Sequence, residues 1–157
     1  MGNKNQSSSS MGFWIIGAIT IVVFGIIVVL GYINQPKSIS SKTSREVALT
    51  CTTDMATQFH IHPMLKIKVA GEEQELPDNI GIEPNCMMSL HTHDNTGVIH
   101  VEAPEQKDFT LGDFFAVWKK DMRSFGANMK MIINDKENTE YENYIMRDKD
   151  RIELIFD

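Results

Sequence analysis

The sequence predicts an α+β domain, a small mixed β-sheet built from hairpins with one packed helix, preceded by a single transmembrane helix. Three observations carry this expectation. Ile61, Pro63, Leu65, Ile67 and Val69 alternate with His62, Met64, Lys66 and Lys68, the period of a half-buried strand. Leu111, Phe114, Phe115, Trp118 and Met122 recur at helical spacing and form one apolar stripe. Phe13 to Ile33 runs 21 residues without a charge, which as a helix spans roughly 31 Å, the thickness of a bilayer's hydrocarbon core.

These signals divide the chain into a disordered polar tail (1–12), the transmembrane helix (13–33), a Pro/Ser-rich linker (34–45) and a globular domain (46–157). Trp14 and Tyr32 stand near the two ends of the apolar run, where amphipathic rings favour the membrane interface. The run is too long for a signal-peptide core, and no A-x-A-like site follows it. It reads as an uncleaved anchor, with the lipid bilayer as the partner of Phe13–Ile33. Lys37, Lys42 and Arg45 follow it, a bias that by itself places the domain in the cytoplasm. The remaining 110 or so residues suffice for a core without help from disulfides or metal.

Within the domain, the strand from Ile61 to Val69 turns at Ala70-Gly71-Glu72 and returns through Gln74–Leu76 as a hairpin. Asp78–Pro84 is a loop. Cys86–His93 and Val98–Glu102 flank Asp94-Asn95-Thr96-Gly97 and make a second hairpin. A two-residue loop there sets His91 opposite His100, whereas a bulge at Gly97 slips the register and turns His100 away. Phe109–Arg123 reads as a helix with Thr110 as N-cap, Asp113 completing a capping box and Phe109 stapled to Phe114. Strands follow at Met129–Ile133 and Ile152–Phe156. A single helix between strand pairs resembles the β-grasp arrangement, at the level of fold alone, which implies no function.

All 21 acidic residues lie at or after Glu46, so the domain is acidic and the net charge is −6. That balance, with no arginine-rich face and no phosphate-binding glycine loop, argues against a nucleic-acid partner.

The chemistry gathers in a short stretch. All five histidines of the chain lie between His60 and His100, as His60 and His62 in FHIHP, then His91, His93 and His100. Cys86 opens the second segment. Imidazole nitrogen, thiolate sulfur and carboxylate oxygen converging on one point are what Zn and Cu ions require. An H-x-H pair on a strand puts two imidazoles on one face, so His91, His93, His100, Cys86, His60 and His62 are the candidate metal ligands. Met64, Met87 and Met88 add soft sulfurs suited to Cu(I). The alternative is a metal-free cluster whose histidines are hydrogen-bonded within the hairpins, with Thr92, Asp94 and Asn95 as ordinary turn formers. For Cys51 and Cys86, a disulfide, ligation through Cys86 and free thiols all stay open. No complete catalytic constellation is present. H-T-H-D falls one residue short of the H-x-H-x-D-H pattern of metallo-β-lactamase-fold hydrolases, and Cys86 with His91 or His100 lacks a third orienting group.

LHTHDNTGVIHVEAPEQKDFTLGDFFAVW resembles a family of largely uncharacterised archaeal and bacterial proteins. Their pattern has an upstream Cys and H-I-H, then C-x4-H-T-H-D-x2-G-x-I-H-x-E and F-T-L-G-x-F-F-x2-W. The likeness covers Cys51 to Trp118. Members often carry a membrane anchor or export signal, which implies an extracytoplasmic domain; the resemblance brings no activity with it. Lys119-Lys120 stand where the pattern leads one to expect a glycine. The expected function is therefore a membrane-anchored extracytoplasmic domain that binds Cu or Zn through its His/Cys cluster and exchanges it with a metal-handling partner protein, without turnover.

Overall fold

Pro63 divides in two the strand that the alternation suggests. The computed structural model describes residues 22–30, 42–54 and 57–157, and in it Phe59–Ile61 (β2) and Met64–Val69 (β3) belong to different sheets. A proline has no N–H to give to a ladder. The chain bends there: the His62 amide donates to Asp148 Oδ1 at 3.0 Å, and the Pro63 carbonyl accepts from the Ile99 amide at 2.8 Å. The second predicted strand divides in the same way at Ser89. Cys86–Met88 (β6) pairs with Cys51–Thr52 (β1) and Ile82–Glu83 (β5), whereas Leu90–His91 (β7) pairs with His100–Ala103 (β8).

The single β-grasp-like sheet expected from the sequence is thus replaced by three sheets. Two have three strands, ordered β1-β6-β5 and β2-β8-β7. The third has five strands and contains β3, Glu72–Gln74 (β4), Lys130–Ile133 (β9), Lys136–Asn138 (β10) and Arg151–Phe156 (β11), in the order β10-β9-β11-β3-β4. In it β11 runs parallel to β3, from Arg151 opposite Met64 to Phe156 opposite Val69, and the other pairs are antiparallel. Ala70 and Gly71, both at positive φ, close the β3–β4 hairpin.

The predicted transmembrane helix is corrected as well. Of that run only residues 22–30 are described; they are helical (α1) with exposed apolar side chains. Among the described residues no helix is long and apolar enough to cross a membrane. The predicted tail (1–12) lies outside the described residues, as do Trp14, Tyr32 and most of the linker. Residues 42–157 form a compact unit of their own.

That unit begins with a one-turn helix, Ser44–Ala48 (α2), capped by Thr43 and Glu46. Leu111–Trp118 (α3) has the predicted N-terminus: Thr110 Oγ1 accepts from the Asp113 amide at 3.1 Å, and Asp113 Oδ2 from the Thr110 amide at 3.0 Å. Asp113 is buried, and its Oδ1 accepts from Arg45 Nε at 2.8 Å, tying α2 to α3. The helix is shorter than predicted. Lys119 takes the left-handed conformation (φ 58°, ψ 34°) that ends a helix and that glycine adopts most readily. Met122–Phe125 follows as a separate 3-10 turn. Leu111, Phe114, Phe115 and Val117 are buried with Leu65, Ile67, Met131, Ile152, Leu154 and Phe156 in the core.

Candidate metal centre

The sheet β2-β8-β7 has two unlike faces, and its register explains both. In β2 and β8, Phe59 pairs with Ala103, His60 with Glu102 and Ile61 with Val101; in β7 and β8, Leu90 pairs with Val101 and His91 with His100. Side chains alternate along each strand. Phe59, Ile61, Leu90, Val101 and Ala103 therefore share one face, which packs on the core. His60, Glu102, His100 and His91 share the other. His62 lies two residues past His60, so the same register continued places it beside His100, and its ring centroid is 4.7 Å from that ring.

Central strand β8 thus holds His100 between imidazoles on both sides. The His91 ring is 5.4 Å away and nearly parallel, and the His93 ring is 4.6 Å away, edge-on. His60 and His62 are 4.4 Å apart. Donor atoms of His91, His93 and His100 lie within 4.8 Å of one another, and so do those of His60, His62 and His100. His100 belongs to both triads. All five histidines gather, and of the two loop geometries the sequence left open, the observed register sets His91 opposite His100.

Cys86 does not join them. Its Sγ is bonded to Cys51 across 35 residues of chain, and a sulfur in a disulfide has no thiolate to offer a metal. Cys86 is thereby corrected from candidate ligand to structural crosslink. Asp94 is also engaged elsewhere, since its Oδ1 accepts from the amide and the hydroxyl of Thr96 and shapes the loop. Those bonds hold its carboxyl below the usual range.

His91 is fully buried. Its Nδ1 lies 3.0 Å from the Met88 carbonyl oxygen; a carbonyl only accepts, so Nδ1 carries the proton and Nε2 holds the lone pair. Burial drives the ring's pKa down to about 4, so it is neutral at physiological pH. Its Nε2 is buried with no hydrogen-bond partner among the described residues, and His100 Nδ1 is in the same condition. Glu102 Oε1 is 3.9 Å from that atom, beyond hydrogen-bond reach. Burial, then the neighbouring His93 and His62, push the pKa of His100 down too. Glu102 Oε1 lies 3.0 Å from His60 Nε2.

Thr92, which sequence reasoning takes for a turn former, is a buried positioning residue. Its hydroxyl donates to the Pro77 carbonyl at 3.0 Å and accepts from the Ile80 amide at 3.1 Å, and its own amide donates to the Ile80 carbonyl at 3.0 Å. These bonds clamp the 77–80 loop beside His91 and His93. The available signal was its place in H-T-H, since the residue between two same-face histidines points the opposite way. Beside His93 opens a cleft of about 560 Å³ lined by Glu75, Asp78, Asp94 and Asn95 among others, an acidic surround that favours cations. Met88 packs against the core.

The chain matches no protein-family profile, no curated protein and no solved structure. The site therefore rests on its own geometry: a group of histidines able to hold a metal ion.

Proposed function

We propose that this domain binds a transition-metal ion, Zn(II) or Cu(II), at His91, His93 and His100 and passes it to a partner protein without chemical turnover. The observation that carries the reading is the Nε2 lone pair of His91, neutral, buried and unpaired. A buried polar atom without a partner costs about 1–3 kcal/mol, and a bound ion satisfies it. The Met88 carbonyl supplies the outer-sphere acceptor that metal-bound histidines usually have, fixing the tautomer and aiming the ring. Three imidazoles suit Zn and Cu(II) and leave a fourth position for water or for an incoming donor.

With Zn–N bonds of about 2.0–2.1 Å, tetrahedral donors stand roughly 3.3 Å apart. Binding therefore has to draw together donor atoms that now lie within 4.8 Å of one another. Two features support a domain exposed outside the reducing cytoplasm: the Cys51–Cys86 disulfide and the resemblance to exported or anchored proteins noted above.

Elemental analysis of the purified chain after loading with Zn(II) or Cu(II) tests the proposal. One ion per chain is expected, held at least tenfold more weakly in His91→Ala and in His93→Ala. The competing reading, a metal-free module in which the histidines only brace the fold, draws on the His91–Met88 and His60–Glu102 contacts. It predicts no stoichiometric metal and a lower melting temperature for His91→Ala with or without chelator.

A further inference from the structure

The two triads differ in one respect that their shared residue makes consequential. His91, in the first, is fully buried and is joined by one exposed ring, His93, whereas His60 and His62, in the second, are both exposed. A neutral imidazole carries one lone pair, so His100 serves one triad at a time, and two dications a ring's width apart repel strongly. Each triad alone is a sufficient donor set; together they are two positions for a single ion.

We propose that His60, His62 and His100 form an outer entry position, and that the ion moves from it to the inner position at His91 and His93 with His100 as the ligand common to both. This rests on the inner site proposed above. Capture at exposed imidazoles needs no opening of the fold. Transfer then exchanges neutral donors one for one: His91 and His93 replace His60 and His62, and His100 turns with the ion instead of releasing it. Glu102, across the ladder from His60, holds that ring in place through its 3.0 Å contact.

The test follows Zn(II) loading of the full chain by stopped flow, with a chromophoric chelator as competitor, in wild type and in a His60→Gln/His62→Gln variant. Glutamine keeps a donor for Glu102, and a thermal melt of the metal-free variant verifies its fold. The expected result is one Zn(II) per chain in both, held within about threefold of the same affinity, with loading at least tenfold slower in the variant. A His91→Ala chain should still capture Zn(II) quickly and release it at least tenfold faster. An unchanged loading rate in the double variant would overturn the proposal and place entry at the acidic cleft beside His93. Loss of binding in that variant would make the outer triad the resting seat and overturn the order of steps. Two ions per wild-type chain would overturn the single-ion path. Failure of wild type to bind Zn(II) at all is the separate outcome that removes the inner site itself.

Discussion

The Leu65 amide donates to the Gly97 carbonyl at 2.8 Å, so the loop joining His91 to His100 is fastened to the first strand of the five-stranded sheet. Gly97 sits at φ +86°, and a Cβ there would run into the Leu65 carbonyl oxygen. Gly97→Ala should therefore destabilise the domain by about 2 kcal/mol or more, combining left-handed strain with backbone collision. Urea denaturation reads this directly, and Zn(II) affinity should fall in the same variant.

Stability should depend on pH through His91. Its folded pKa is about 4 against an ordinary 6.5, so between those values the unfolded chain holds the extra proton. The metal-free domain is then most stable above pH 6.5 and loses up to about 3 kcal/mol as pH falls to 4. His100, shifted in the same direction, adds to the loss. Chemical denaturation at stepped pH should show that slope in wild type and a shallower one in His91→Gln.

Cys51→Ser and Cys86→Ser should behave alike. Each removes a crosslink closing 35 residues, a loss of about 3–4 kcal/mol by the chain-entropy account. Zn(II) stoichiometry should persist in both under conditions where they remain folded. Loss of metal in Cys86→Ser alone would restore the thiol to the ligand set.

Lys119→Gly should raise stability by about 0.5–1 kcal/mol, because the helix ends there in a left-handed conformation that a lysine adopts at a cost. A melting-temperature comparison is sufficient.

Features legible in the sequence were those decided locally. The Thr110–Asp113 box needs only three residues of spacing, and Leu65 and Ile67 face inward as their alternation implies. The parity of His60 with His62, and of His100 with Glu102, was equally readable. Pairing partners were not. Alternation is blind to a change of sheet, so the runs from Ile61 and from Cys86 looked continuous although each divides between two sheets. Pro63 carried a usable warning, since a proline suits a strand end better than a strand interior; Ser89 carried none. His91 is packed by Gly81, where a Cβ would come within 3.3 Å of the His91 Cβ, and flanked by the Thr92–Ile80 bonds, contacts that no spacing rule reaches. For the run from Phe13 to Ile33 composition favoured a membrane span, whereas among the described residues no helix is long and apolar enough to cross one.

The two-faced sheet β2-β8-β7 separates what holds the domain together from what gives it chemistry. Phe59, Ile61, Leu90, Val101 and Ala103 can keep the scaffold intact while the opposite positions exchange one donor type for another. Under the proposed metal-binding reading, a few substitutions at 60, 62, 91, 93 and 100 would retune which ion is preferred without redesigning the architecture.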